Sequence, residues 1–225
     1  MPSQSSGSGR AGDDPHAGTD VERAGPSLSD ASAAVILVHG RGARATGMLG
    51  LADEIGRDDV AYLAPQAHRG TWYPQSFMAP IEANQPHLGS ALSKLDAQLE
   101  TVTDAGVPLE RTILAGFSQG ACLASEFAAR NARRYGGLVA LSGGLIGPEG
   151  TDFSYDGSMD GTPVFLGCGD QDPHIPVERV VETADAFDSL DASVEKRIYE
   201  GMSHGIIEDE MDFVRDLVGS VASDD

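Results

Sequence analysis

The stretch "LAGFSQGAC", residues 114–122, places a serine between two glycines directly after an apolar run. Gly116, Ser118 and Gly120 form the pattern G-x-S-x-G. A turn this tight strains the backbone of the serine and leaves almost no room for side chains beside it, which explains both glycines. The stretch therefore predicts a strand, a sharp turn that exposes the Ser118 hydroxyl, and a helix whose free N–H groups point toward that hydroxyl. A plain Gly-rich turn is the alternative interpretation.

Further apolar runs of strand length lie on both sides of this stretch. Together with it they are "AAVILVHG" (33–40), "VAYLAP" (60–65), "RTILAGFS" (111–118), "GGLVALSG" (136–143), "PVFLGCGD" (163–170) and "SVEKRIYEG" (193–201). Stretches with apolar residues at helical spacing separate them, such as Leu92, Leu95, Leu99 and Val102. Continuous Val, Ile and Leu runs are typical of strands covered on both faces. We predict an α/β fold over residues 31–225, a three-layer sandwich with a mostly parallel central sheet.

A histidine is needed to make the serine reactive. A serine hydroxyl is a weak nucleophile at neutral pH and requires a general base, normally a histidine oriented by a carboxylate. Where a serine occupies this kind of strand-turn-helix unit, the acid and then the histidine follow it along the chain. His204, in "EGMSHG", follows the last predicted strand, and we predict that it is the base. A helix-capping or loop histidine is the alternative.

Two candidate acids, Asp170 and Asp172, lie in "GCGDQDPHIP" at the end of the strand predicted at 163–170. Ligands bind at the carboxyl ends of the strands in such a sheet, so both are well placed. We favour Asp172, because Pro173 fixes the turn behind it. Asp170 is better suited to accept hydrogen bonds from loop N–H groups. The residues alone leave both assignments open.

The negative charge that develops on a substrate carbonyl needs backbone N–H donors, an oxyanion hole. One donor is expected from Gln119, directly after the serine, and the other from Arg41 in the Gly-rich loop "HGRGA". His39 then shapes this loop rather than acting as a base. Trp72, Tyr73 and Phe77, in the loop after "LAPQ", are predicted to line the substrate pocket, although large aromatic residues are equally suited to anchor a core.

The predicted reaction is hydrolysis of a small-molecule carboxylic ester of small or medium acyl chain, in two steps through an acyl-enzyme. We expect no metal and no organic cofactor. Cys122 and Cys168 lack metal-ligand spacing and are expected to be reduced and buried. A non-catalytic binding module on the same fold is the competing hypothesis, but such a module needs neither the three catalytic side chains nor the Gly-rich loop.

The composition is strongly acidic: 35 Asp and Glu residues against 15 Lys and Arg residues give a net charge of −20 at pH 7. Only two of the cations, Lys94 and Lys196, are lysines. Because such a chain repels polyanions, nucleic acid is not an expected partner. A lysine-poor acidic surface also suits a cell with molar internal salt, where the Debye length is only about 3 Å at 1 M. We hypothesise a salt-adapted (halophilic) protein, with an ordinary acidic cytosolic protein as the alternative.

The first 30 residues are rich in Ser, Gly, Ala and Asp and carry few apolar side chains. Burial of so little apolar surface cannot offset the entropy of ordering, so we expect a disordered tail over residues 1–30. The tail lacks the basic start and apolar run of a secretory signal, and no stretch of the chain has the roughly 20 apolar residues of a membrane span. We expect a soluble, cytoplasmic protein with no membrane span, and a homodimer is compatible with the sequence.

With these residues assembled, the chain resembles the phospholipase/carboxylesterase family of α/β-hydrolases, small serine esterases that include the acyl-protein thioesterases. The resemblance runs from about residue 33 to residue 218. Its carriers are "VILVHGRGA", "LAPQ", "TWYPQSF", "GFSQGA", "LSGGL", "GDQDPHIP" and "GMSHG". The resemblance implies an α/β-hydrolase fold, a triad of Ser118, Asp172 and His204, and oxyanion donors on Arg41 and Gln119. It supports Asp172 over Asp170, because the acid of the family precedes a Pro-containing turn of this kind.

The chain also departs from the acyl-protein thioesterases. In those proteins the oxyanion loop has a sequence similar to "HGLGD", where this chain has Arg41 and Ala43. They also carry an acidic residue where this chain has Pro74. The "TWYP" variant is more similar to a microbial branch of esterases, some of them similar to hydrolases of aromatic ring-cleavage products. Thioesterase or lysophospholipase activity, and hydrolysis of aromatic ring-cleavage products, are therefore the alternatives to carboxylesterase activity.

Overall fold

A seven-stranded sheet forms the centre of residues 14–223, the part of the chain that the computed structural model describes. Its strands are β1 (Val21–Ala24), β2 (Ala33–Val38), β3 (Val60–Pro65), β4 (Thr112–Phe117), β5 (Gly137–Leu141), β6 (Pro163–Gly169) and β7 (Ser193–Tyr199). They lie in the order β1-β3-β2-β4-β5-β6-β7, and only β1 and β3 pair antiparallel. All six predicted strands are present. Strands β2 to β6 are buried along almost their whole length, as their continuous apolar runs predict.

Helices cover both faces of the sheet. Those of the described chain are α1 (Ala45–Ile55), α2 (His87–Asp104), α3 (Gln119–Arg130), α4 (Val177–Ser189) and α5 (Glu208–Ser223). Helices α1 and α5 pack on one face, and α2, α3 and α4 pack on the other. Alternate residues of β2 enter the two cores, Ile36 on the side of α3 and Val35 on the side of α1. The predicted three-layer α/β fold is confirmed. Between residues 14 and 223, no helix combines the length and apolar character needed to cross a membrane.

The register of the central strands brings the loops of interest together. In the β2–β4 pair Val38 lies opposite Gly116, and in the β4–β5 pair Phe117 lies opposite Leu141. The carboxyl ends of these parallel strands are therefore level. The loops that follow β2, β4 and β5 leave the sheet at the same edge, and Ser118 is at the centre of that edge.

The prediction of a disordered tail through residue 30 is wrong for residues 14–30. β1 pairs with the edge of β3, with Val21 opposite Pro65, and both His16 and Leu28 are buried. Backbone hydrogen bonds to a free strand edge and a few buried contacts offset the ordering entropy here, and composition does not reveal either contribution. The first 13 residues of the predicted tail lie outside the described residues.

Candidate active site

The turn between β4 and α3 holds Ser118 at φ 56° and ψ −121°, a conformation that residues with side chains rarely adopt. A Cβ atom on Gly116 would lie 2.4 Å from the Gly120 carbonyl oxygen, and one on Gly120 would lie 2.0 Å from the Val38 carbonyl oxygen. Both contacts are with backbone, which cannot move aside, so glycine is required at both positions. The strained turn exposes the Ser118 side chain to a cavity at the edge of the sheet.

Ser118, His204 and Asp172 form a continuous chain of hydrogen bonds. Ser118 Oγ lies 2.8 Å from His204 Nε2, and His204 Nδ1 lies 2.6 Å from Asp172 Oδ2. Because a carboxylate oxygen only accepts, the proton of the neutral imidazole belongs on Nδ1, and the Nε2 lone pair faces the serine hydroxyl. The loops after β4, β6 and β7 thus bring together a hydroxyl, a base and an acid.

The side chain of Asp172 is buried, and both of its carboxylate oxygens accept hydrogen bonds. Its Oδ1 accepts hydrogen bonds from the backbone N–H groups of His174, at 2.8 Å, and Ile175, at 3.1 Å. Burial by itself raises the pKa of Asp172, but the hydrogen bonds from His204 and from the two N–H groups outweigh it and hold this pKa below its ordinary value. The carboxylate is therefore ionised at neutral pH and can stabilise a protonated His204.

Asp170 has a different partner. Its Oδ1 accepts a hydrogen bond of 2.7 Å from the backbone N–H of Gly201, in the turn that precedes His204. The structure therefore brings Asp172, not Asp170, to the imidazole. Asp170 joins the loop that carries the acid to the loop that carries the histidine.

Two rings flank the His204 imidazole. The Phe117 ring lies with its centroid 4.9 Å away at an interplanar angle of 36°, and the His174 ring lies at the same distance edge-on, at 78°. Neither ring was expected from the sequence. Together with Asp172 they restrict the rotation of the imidazole, which keeps Nε2 directed at Ser118.

The backbone N–H groups of Arg41 and Gln119 are free to bind a ligand. Gln119 is the first residue of α3, where an N–H has no acceptor within the helix. In the loop after β2, the N–H groups of Gly42 and Ala43 already donate to backbone carbonyls. Among residues 14–223, no group accepts a hydrogen bond from the N–H of Arg41 or of Gln119. Both residues line the cavity in front of Ser118.

His39 is buried and holds the loop after β2 to the loop after β3. Its Nε2 accepts a 3.0 Å hydrogen bond from the Ala67 N–H, so Nδ1 carries the proton and donates to the Gly40 carbonyl oxygen at 2.7 Å. Desolvation by burial lowers the pKa of His39, which keeps the ring neutral. His39 thus shapes the loop after β2 and is not part of the cavity wall in front of Ser118.

The cavity in front of Ser118 has a volume of about 620 Å³. Besides Gln119, its buried lining side chains are Tyr73, Phe77, Cys122 and Ile175. Cys122 and Ile175 were not predicted, although a signal existed: Cys122 lies one helical turn after Ser118, and Ile175 lies three residues after Asp172. Cys122 and Cys168 are both unpaired and buried. No cluster of three or more His, Cys, Asp or Glu side chains suited to a metal ion occurs between residues 14 and 223.

The prediction that Trp72 lines the pocket is wrong. Trp72 is not part of the cavity wall, and its side chain is buried. The indole N–H donates to the His39 carbonyl oxygen at 2.8 Å, and the ring packs against the rings of His39 and His16, at 5.0 and 5.4 Å. A tryptophan is readily buried where a backbone acceptor satisfies its N–H. Trp72 therefore anchors the loop after β3 in the core, and Tyr73 and Phe77 provide the cavity wall.

A mostly parallel sheet with helices on both faces, and a serine on a strand-turn-helix unit at its carboxyl edge, define the chain as an α/β-hydrolase. Within this class, residues 25–221 match the sequence profile of the phospholipase/carboxylesterase family. The chain belongs to that family.

Individual relatives agree with this assignment. The chain is 32% identical over 125 residues to acyl-protein thioesterase 1 of Saccharomyces cerevisiae, an alignment that covers 55% of each protein. It is 29% identical over 218 residues to acyl-protein thioesterase 1 of Candida albicans, covering 84% of this chain and 94% of that protein. A crystal structure of a phospholipase/carboxylesterase from Dyadobacter fermentans is 41% identical, covers 89% of this chain and 96% of its own, and superposes with a TM-score of 0.85. The protein is thus an ester-cleaving hydrolase.

Proposed function

We propose that the protein is a serine carboxylesterase that hydrolyses small-molecule esters of small or medium acyl chain. Ser118 is the nucleophile, His204 the general base and Asp172 the acid that orients it. The observation that carries the proposal is the chain of hydrogen bonds from Ser118 through His204 to Asp172, at 2.8 and 2.6 Å. Each atom in it already faces the atom with which it would exchange or share a proton.

The reaction proceeds in two steps. His204 Nε2 takes the proton of Ser118 as Oγ attacks the ester carbonyl carbon, and then gives that proton to the departing alcohol, which leaves an acyl group on Ser118. A water molecule next loses a proton to His204 and attacks the carbonyl carbon of the acyl-enzyme. His204 returns this proton to Ser118 Oγ, and the carboxylic acid product leaves. The ionised Asp172 stabilises the positive charge that His204 carries in both steps.

The N–H groups of Arg41 and Gln119 serve as the oxyanion hole in both steps. They lie in the wall of the cavity that Ser118 faces, and neither has another acceptor among the described residues. Donors that are already fixed before the substrate binds stabilise the developing negative charge with little reorganisation. The positive end of the α3 dipole reinforces the Gln119 donor.

The acyl group occupies the apolar part of the cavity, against Tyr73, Phe77, Cys122 and Ile175. The cavity volume of about 620 Å³ is that of an ordinary small-molecule site, typically about 300–1,000 Å³. We expect the buried side chains at the apolar end of the cavity to favour short and medium acyl chains over long ones.

The proposal is tested by Ser118→Ala, with Ser189→Ala as control, because Ser189 lies on α4 and bonds only its own helix, at the Asp185 carbonyl oxygen. We expect Ser118→Ala to lower kcat/KM for p-nitrophenyl butyrate by at least about a thousandfold and to abolish labelling by a fluorophosphonate probe. The circular dichroism spectrum should be unchanged. Turnover retained by purified Ser118→Ala protein would remove Ser118 from the mechanism, and an unlabelled wild type would favour a non-catalytic binding module.

Thioester hydrolysis is the second candidate, because the curated relatives above are acyl-protein thioesterases. The same nucleophile and oxyanion donors serve both bonds, so the geometry does not separate them. The ratio of kcat/KM for an oxyester and a thioester of the same acyl chain does. We expect the oxyester to be preferred, because the oxyanion loop of this chain differs from the "HGLGD" loop of the acyl-protein thioesterases: it has Arg41 and Ala43 there. A thioester preference of tenfold or more would reassign the substrate class.

A further inference from the structure

The guanidinium group of Arg41 holds one wall of the cavity. Nη1 donates to the Pro74 carbonyl oxygen at 2.9 Å, and Nη2 donates to the carbonyl oxygens of Tyr73, at 3.0 Å, and Gln75, at 2.6 Å. Three successive carbonyls thus converge on one side chain. A planar guanidinium with donors in a fixed fork is suited to such a cluster of acceptors.

The side chain of Gln119 holds the same loop from the other side. Its Oε1 accepts a hydrogen bond from the Trp72 N–H at 2.9 Å, and its Nε2 donates to the Tyr73 carbonyl oxygen, also at 2.9 Å. Arg41 and Gln119 are the two residues whose backbone N–H groups form the proposed oxyanion hole. Their side chains therefore join the cavity wall rigidly to the place where the reaction occurs.

The far end of the loop is fixed independently. The buried Asn84 accepts from the Gln75 N–H at 2.8 Å and donates to the Ser76 carbonyl oxygen at 3.0 Å. The Gly147 N–H donates to the Phe77 carbonyl oxygen at 2.8 Å. Loss of the Arg41 contacts would therefore free the Pro74 and Gln75 carbonyls. Gln119 would still hold the Tyr73 carbonyl, and Asn84 would still hold the Gln75 N–H.

We infer that Arg41, through its side chain, determines the acyl-chain specificity of the esterase, an inference that rests on the proposed function. The guanidinium fixes the distance between Ser118 and the part of the cavity wall formed by Pro74 and Gln75. Without it, the carbonyls of Pro74 and Gln75, on the exposed side of the loop, turn to water, and the wall can move outward to admit a longer acyl chain. Arg41 is thus a positioning residue as well as a backbone donor.

The test compares Arg41→Met with Arg44→Met. Methionine keeps most of the length and the backbone N–H of Arg41 but removes every donor of its side chain. Arg44 is a matched control: it is exposed, lines a neighbouring cleft rather than the cavity, and its guanidinium makes no hydrogen bond or ion pair within residues 14–223. The measurement is the ratio of kcat/KM for p-nitrophenyl octanoate to that for p-nitrophenyl butyrate, with kcat and KM resolved.

We expect Arg41→Met to raise this ratio at least threefold, mainly through a lower KM for the octanoate, and Arg44→Met to leave it unchanged. The ratio for Arg41→Lys should lie between those of wild type and Arg41→Met, since a single ammonium replaces only part of the guanidinium's hydrogen bonds. If Arg41→Met does not fold, Arg41→Lys is compared with wild type instead. If the Arg41 variants hydrolyse esters with the wild-type octanoate-to-butyrate ratio of kcat/KM, the inference about Arg41 is wrong and the proposed function is unaffected. A wild type that hydrolyses no ester of the panel overturns the proposed function and this inference with it.

Discussion

The two carboxylate oxygens of Asp172 have separate partners, which makes this residue hard to replace. Oδ2 accepts a hydrogen bond from His204 Nδ1, and Oδ1 accepts hydrogen bonds from the backbone N–H groups of His174 and Ile175. An asparagine has one oxygen, and the two N–H groups on the Oδ1 side compete strongly for it. Its amide N–H₂ would then face the imidazole, which would have to accept at Nδ1 and carry its proton on Nε2, where it blocks attack by Ser118.

We therefore expect Asp172→Asn to lower kcat for ester hydrolysis by about 10³- to 10⁴-fold while the protein stays folded. Asp170→Asn is the matched control two residues away. It retains an oxygen for the Gly201 N–H and should change kcat by less than about threefold. Steady-state kinetics with p-nitrophenyl butyrate measure both variants, and a larger loss in Asp170→Asn would reassign the acid.

The sequence could predict which residue types meet at the site, but not the direction of every side chain. The positions of Ser118 and His204 follow from the pattern of strands, because the carboxyl ends of parallel strands share one edge. The choice between Asp170 and Asp172 depends on where a distant loop runs, and the residues left it open. Trp72 was misplaced for a similar reason: only the structure shows that the His39 carbonyl is available to its indole N–H.

At the scale of elements, the segment that precedes β1 braces the loop after β3. His16 is buried there; its Nδ1 accepts from the His68 N–H at 3.0 Å, and its Nε2 lies 2.9 Å from the Trp72 carbonyl oxygen, to which it donates. Continuous apolar runs made β2 to β6 predictable. β1, with the sequence "VERA", has no such run, and its place is set by the free edge of β3 rather than by its own composition.

This brace predicts a dependence of stability on pH. Desolvation by burial lowers the pKa of His16, so the folded protein binds fewer protons there than the unfolded chain, whose histidine titrates near about 6.5. The contribution of neutral His16 to the stability of the fold is therefore complete above the pKa of the unfolded chain, and it is lost as the pH falls below that pKa toward the pKa of the folded state. Glu210 acts in the opposite direction, because burial raises its pKa to about 7 and the folded protein takes up a proton there. The contribution of His16 must therefore be isolated by a variant.

We expect the difference in free energy of unfolding between wild type and His16→Gln to shrink between pH 7.5 and pH 5.5, by at most about 1.4 kcal/mol per pH unit. Glutamine can replace the Nε2 donor but does not titrate. Urea unfolding at several pH values measures this difference, and Glu210 cancels because both proteins contain it. A difference that stays constant over the range would show that His16 does not couple folding to pH.

At the scale of the whole molecule, a net charge of −20 on 225 residues destabilises the folded state through self-repulsion. The few cations are already committed in part to local structure: Arg197 pairs with Glu195 and Asp209, and Arg215 pairs with Glu208 and Asp212. These pairs are exposed and contribute little each. Relief from the remaining repulsion has to come from the solution, which is the basis of the salt-adaptation hypothesis.

We therefore expect the free energy of unfolding in urea at pH 7 to rise by at least about 1 kcal/mol between 0.1 M and 1 M KCl, because the Debye length falls from about 10 Å to about 3 Å over that range. Esterase activity should rise in parallel. Sucrose of equal osmolality is the control, since it favours compact states without screening charge. If the free energy of unfolding rises equally in sucrose, the effect is due to exclusion of the solute from the protein surface and not to screening of charge. Full activity and unchanged stability after transfer from multimolar KCl to dilute buffer would rule out salt adaptation, because the acidic surface would then be tolerated without screening.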